Sequence, residues 1–316
     1  MILLSKKFLF IYFIAYSCSS MLTANLCRIT TITKENGQII YLLSDWKEEP
    51  TETHQPQFTE FIEHLKALED SSQRGLHILT AAASKPFFNT PSLKSTALAS
   101  LVEHAQKLNL KKSTIENITI KSCTNAFNVI ASCYPDIESI NLASPVVNAR
   151  AQEVFGHRFD KLSFQDIVDE LVQHLNALKD CKNTCNNLLL KAELKSRLAM
   201  CDKYIDLFKW ILEEEIKIGL DQSFTELLPA LTDELNQARF MYVFKLVSKI
   251  SIVLSSLYIL SRIHNLKDVV KFIIIAESDC LEEITTLLAT TSSTLKTKSV
   301  GIQRELFNET LLNFFV

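Results

Sequence analysis

Residues 269–276 (VVKFIIIA) constrain this chain more than any other segment, because they form its most strand-like run and follow a long stretch that reads as helix. A lone strand among helices leaves its backbone N–H and C=O groups unpaired, so this run must return to a sheet built earlier in the chain. Two earlier runs qualify, 38–44 and 76–82. Like 272–276 they are apolar without strict alternation, which is how strands covered on both faces read. The three are expected in one sheet, although more than 180 residues of sequence separate the last two. The competing arrangement divides the chain near residue 160 and places 272–276 in a helix of an all-α second domain.

The rest of the first half fits the one-sheet picture. Residues 28–33 and 38–44 flank Asn36-Gly37, a strong hairpin signal. Phe58, Phe61, Ile62, Leu65 and Leu68 recur at helical spacing, followed by strand 76–83, a helix over 93–108, strand 115–121, a short helix over 124–132 and strand 137–142. Strands alternating with helices imply right-handed crossovers and parallel pairing. From Ser163 the period changes. Asp166 stands three residues on as a capping box, and Phe164, Ile167, Val168, Leu171, Val172, Leu175 and Leu178 form one helical stripe. A second stripe runs Leu190, Leu194, Leu198, Cys201, Ile205, Phe208, Leu212 and Ile216 and is expected to stop near Gly219. Residues 231–263 supply a further helix with an apolar centre over 250–260. Lys245, Lys249 and Arg262 bracket too short a run to cross a bilayer, which needs about 20 apolar residues, so this is expected to be a core helix. The expected fold class is α/β: a mainly parallel sheet with flanking helices and a large helical insertion, at about 163–264, before the last strand. Residues 27–316 are expected to form a single domain.

Residues 1–26 carry an address. Lys6 and Lys7 precede the apolar run 8–16 (FLFIYFIAY) and the small, polar 17–20, the order of a secretory signal peptide. The expectation is an exported protein, periplasmic or extracellular, that meets the membrane only during export. The alternative is an uncleaved anchor at 8–16. Removing Lys6 and Lys7 takes the formal charge from −3 to −5, and no basic block stands elsewhere, which argues against nucleic acid as a partner. The five glycines, Gly37, Gly75, Gly156, Gly219 and Gly301, are all far apart, so no phosphate-cradling loop can be drawn and nucleotide partners fall away. Eight cysteines are present, and seven remain once Cys18 leaves with the signal. Cys181, Cys185 and Cys201 are candidates for a disulfide stapling two helices, with Cys201 as a plain apolar core residue the alternative. No Cys/His zinc spacing occurs, so neither a metal nor a cofactor is expected.

The strand order carries a resemblance. Segment 38–46 (QIIYLLSDW), strand 76–83, and the late 272–281 (FIIIAESDCL) resemble the superfamily of TraB/PrgY, ChaN and erythromycin-esterase-like proteins. In that group the first strand ends in Gly-Glu-x-His, the second in an acid, and a late strand in Gly-x-x-His. Here Ser44 stands for the glycine, Asp45 for the acid and Lys47 for the first histidine. No acid ends the second strand. Ala276 and Asp279 occupy the late glycine and histidine positions. The resemblance thus implies the fold without its catalytic set, since Lys47 as an ammonium cannot ligate a cation. Asp45, Trp46, Lys47, Glu277 and Asp279 are the candidate degenerate pocket, with Trp46 as a wall. Asp45, Glu277 and Asp279 are equally readable as strand-end and helix-capping acids. No catalytic residue is assigned.

Three functions compete. The leading one is a pseudoenzyme, an exported non-catalytic module that binds a protein or a small ligand. The second is a metal-dependent hydrolase with an altered carboxylate site around Asp45 and Glu277. The third makes the helices an interaction scaffold, which requires an exposed apolar patch on 163–264.

Overall fold

The computed structural model describes residues 27–44, 63, 66, 76–80, 114–117, 156–157, 159–185, 187–230, 233–276, 278–291 and 295–302. The expected helices over 93–108 and 124–132, the strand over 137–142 and the signal segment lie outside these residues. Glu63 and Lys66 are helical and exposed.

The described residues open with an antiparallel hairpin, β1 (Cys27–Lys34) and β2 (Ile39–Ser44), in which Thr33 pairs with Ile39. Its connection holds four residues, 35–38. Gly37 N–H donates to Lys34 C=O at 3.0 Å, and Gly37 adopts φ +79°, a left-handed conformation that costs a residue without Cβ nothing. Strands β3 (Leu76–Thr80), β4 (Thr114–Asn117) and β5 (Lys271–Ala276) complete the central part. Among the described residues the sheet has six strands in the order β4-β3-β5-β2-β1-β6. β5 lies between β2 and β3 and is parallel to both, β3 is parallel to β4, and β1 is antiparallel to β2 and β6. The late strand therefore does return to the early ones, and the all-helical alternative for 272–276 fails. The class is α/β with a mixed sheet and flanking helices.

One expectation needs correction. β5 is not the last strand, because β6 (Leu295–Ile302) follows and pairs antiparallel with the whole of β1. Its sequence, LKTKSVGI, has no apolar run. Backbone pairing with β1 supplies what its composition does not advertise.

Both faces of the central strands are buried. Ile32, Ile40, Leu42, Leu79, Phe272 and Ile274 join the core shared with the helices, while Tyr41, Leu43, Ile78, Ile273 and Ile275 alternate to the opposite face and are buried as well. On the helical side, α1 (Phe164–Thr184) starts at the expected box. Ser163 Oγ accepts from Asp166 N–H at 3.2 Å, and Asp166 accepts from Ser163 N–H at 2.8 Å. Its stripe is buried at every expected position except Val172, which is half-buried. α2 (Leu188–Trp210) runs on into a π-helical turn, Ile211–Ile216, and stops at Lys217, not at Gly219. Lys217 takes the left-handed position itself, with φ 64° and ψ 40°. A short helix, α3 (Phe224–Ala230), precedes the helix expected from 231. Asp233 then caps α4 (Glu234–Asn265) by accepting from Leu235 N–H and Asn236 N–H, both at 3.0 Å. α4 is long and apolar enough to cross a membrane, yet 67% of its most apolar window is buried inside the molecule. α5 (Ser278–Thr291) connects β5 to β6.

Candidate functional site

At the β3–β4 edge three polar residues interrupt the helix-facing side of the sheet. His77 pairs across the strands with Thr114, and Leu79 with Glu116, so His77, Thr114 and Glu116 project from the same face at the β3–β4 edge. Tyr258 and Arg262 approach from α4. They stand one turn apart, which puts both on one side of that helix. Glu116 is where the two elements meet. One of its oxygens accepts from the Tyr258 hydroxyl, and the other lies 3.0 Å from Arg262 Nε and 3.2 Å from His77 Nε2. The second imidazole nitrogen, His77 Nδ1, is hydrogen-bonded to Thr114 Oγ1. Against the other flank of the ring, Phe272 packs edge-on at 5.7 Å.

The electrostatics follow from burial and from these partners. Burial holds His77 below the ordinary imidazole range and outweighs the pull of the Glu116 carboxylate. The neutral tautomer that satisfies both contacts carries its proton on Nε2, donates it to Glu116 and accepts at Nδ1 from Thr114. Burial acts to raise Glu116, but the Tyr258 hydroxyl, the Arg262 charge and His77 together hold it below the usual carboxylate range. Tyr258 is pushed up to about 12, first by burial and then by its bond to Glu116. The resulting set is an anionic carboxylate, a guanidinium, a neutral imidazole and a neutral phenol. Both carboxylate oxygens and both imidazole nitrogens already have partners within the cluster.

The position of this cluster matters as much as its chemistry. His77 is the second residue of β3, Thr114 the first of β4 and Glu116 the third of its four, so the cluster lies across the face of the two parallel strands and not beyond their carboxyl ends. Open α/β sheets build their ligand sites outside the carboxyl ends. The geometry suits a clasp that ties α4 to an edge strand.

A second polar group lies where the carboxyl end of α4 meets the hairpin. Gln38 is 3% exposed, and its Nε2 donates to the carbonyls of Leu266 at 3.2 Å and Val269 at 3.1 Å. Its Oε1 accepts from Lys34 Nζ at 3.1 Å. His264, in the last turn of α4, faces Lys34. Its Nε2 is buried and has no hydrogen-bond partner among the described residues, and burial, then the Lys34 charge, holds the ring down to about 4.

Of the pocket named from sequence, Asp45, Trp46, Lys47 and Glu277 lie outside the described residues. The sheet does bring their neighbours together, since Ser44, directly before Asp45, pairs with Ala276, directly before Glu277. Asp279 is exposed in the first turn of α5, where a carboxylate complements the helix dipole. No disulfide joins Cys181, Cys185 and Cys201. Cys201 is fully buried in the core, as its apolar alternative requires, and burial pushes its thiol up to about 12. Among the described residues no group of three or more His, Cys, Asp and Glu is placed to hold a metal ion. Trp210 is 50% exposed. His174 pairs with Glu170 one turn earlier at 3.7 Å, an ordinary helix-surface pair.

His77, Glu116, Tyr258 and Arg262 were not legible as a set. The available signal was local: a histidine inside the buried run LHILT demands a partner, because an unpaired polar group in a core is costly. Nothing in the sequence says that the partner sits on the next strand and is shared with a helix far along the chain. No protein-family model, no curated protein and no solved structure matches the chain.

Proposed function

We propose that this chain is an exported, non-catalytic module that binds a protein or a small ligand, on a hydrolase-like α/β frame whose catalytic set is degenerate. One observation carries the reading. In the His77–Thr114–Glu116–Tyr258–Arg262 cluster every acid and base already has an internal partner, and the cluster lies on the face of the parallel strands and not beyond their carboxyl ends. Such a group ties secondary structure together and leaves no free base for chemistry. The finer fold reading, a mainly parallel sheet interrupted by a helical insertion over about 163–264 within one domain, draws support from the placement of β5 between β2 and β3. The resemblance to the TraB/PrgY, ChaN and erythromycin-esterase-like superfamily draws support from the same placement.

Metal analysis of the purified protein, together with turnover assays on ester, phosphoester and peptide substrates, tests this function. The expected result is no stoichiometric manganese, zinc or cobalt and no turnover. Stoichiometric metal with a turnover that Asp45→Asn abolishes in a folded protein would overturn the module and install the altered-carboxylate hydrolase. The scaffold reading has its own support in five large apolar residues exposed on the helices, Leu188, Leu189, Trp210, Leu235 and Tyr242. In that case Leu189→Asp or Tyr242→Asp abolishes partner binding while leaving the fold intact.

A further inference from the structure

We propose that the protein carries an acid trigger: acidification releases the carboxyl-terminal part of α4, residues 255–265, from the sheet. Two imidazoles stand at this joint, His77 buried on β3 beneath the helix and His264 half-buried in its last turn with Nε2 inside, and a cation acts on each. His77, whose side chain is 7% exposed, meets Glu116 from β4, Tyr258 and Arg262 from α4, and the uncharged Phe272 ring from β5. His264 meets Lys34 from β1, whose ammonium is held by Gln38.

Protonation acts on the two rings differently. At His77 the incoming proton goes to Nδ1, the atom that accepts from Thr114, so that bond must reverse while a new positive charge forms near Arg262. The Glu116 carboxylate opposes this, which makes His77 the weaker contributor. At His264 nothing opposes it from the groups it faces. Imidazolium carries an N–H on both nitrogens, and Nε2 is buried without an acceptor among the described residues. The new charge also confronts Lys34 across the joint where Gln38 fastens the Leu266 and Val269 carbonyls to the hairpin. Release exposes the ring to water and lets it charge freely. Because His77 lies under this end of α4 and His264 belongs to it, their protonation is relieved by the same local opening. The trigger does not depend on what the module binds.

Hydrogen exchange read by mass spectrometry at pH 7.5 and pH 5.0, corrected for the intrinsic exchange rate, tests it. A ring that titrates near 4 when packed and near 6.5 when released favours the open form by about thirtyfold more at pH 5.0 than at pH 7.5. The expected result is an acceleration of that order in peptides covering 255–265, with α2 peptides over 190–208 unchanged. His264→Gln should remove most of the acceleration. Lys34→Gln, which leaves the histidine in place, should shrink it. Protection at 255–265 that does not change with pH overturns the proposal. So does an acceleration shared equally by α2, or one that survives intact in both variants.

Discussion

Glu116→Gln is the sharpest probe of the clasp, because it nearly conserves shape while removing the charge that three donors share. In the native protein one carboxylate oxygen serves Tyr258 and the other serves both Arg262 and His77. A glutamine keeps one acceptor oxygen and turns an NH2 toward donors on the other side. Solvent decides how much this costs at each partner. Arg262, with about a third of its side chain exposed, rehydrates readily and contributes little. His77, with a side chain 7% exposed, cannot reach water, and an orphaned buried donor costs about 1–3 kcal/mol. The expected loss is therefore about 2 kcal/mol, dominated by the histidine. Urea unfolding followed by far-UV circular dichroism at pH 7 measures it. A double-mutant cycle with Tyr258→Phe should add a coupling of about 1 kcal/mol, since the phenol donates to the same carboxylate. The pH dependence has a definite sign. Both Glu116 and His77 titrate below their ordinary values when folded, so each contributes stability that is complete above its unfolded pKa and is lost as the pH falls toward its folded one. For His77 that loss begins near pH 6.5, and Glu116→Gln, by removing the carboxylate that favours imidazolium, should deepen it. A loss under about 0.5 kcal/mol at pH 7, or strict additivity with Tyr258→Phe, would refute the clasp.

Lys217→Gly should stabilise the protein. A non-glycine residue at φ 64° costs about 1–2 kcal/mol, against about 0.5–1 kcal/mol for the extra chain entropy of glycine, and the exposed pair with Glu214 offsets little. A rise of about 0.5 kcal/mol in urea unfolding is expected, and a fall would show that the turn is held by something other than backbone preference. Iodoacetamide at pH 8 should alkylate half-buried Cys185 in the native protein and spare Cys201, whose buried thiol titrates near 12. Equal labelling of the two would mean that α2 does not stay packed.

Local chemistry in the sequence determined the parts of this protein that need only near neighbours. Asn36-Gly37 announces a hairpin because few residues tolerate the left-handed position that Gly37 occupies. Ser163 and Asp166 announce a helix start because each satisfies the other's backbone. The late run 272–276 announced even its long-range partnership, since a buried strand has no other way to pair its N–H and C=O groups. Tertiary structure decided the rest. The helix does stop near Gly219, but Lys217 and not the glycine takes the left-handed position that ends it. β6 is a strand through its pairing with β1, and its own residues are too polar to say so. The five residues of the clasp are scattered over β3, β4 and α4, and a shared carboxylate becomes visible only when strand register and helix packing place donors from all three around it. Sequence periodicity reports which face of an element is apolar. It carries no information about which polar residue on one element will meet which on another, because that choice is made by packing across the whole core.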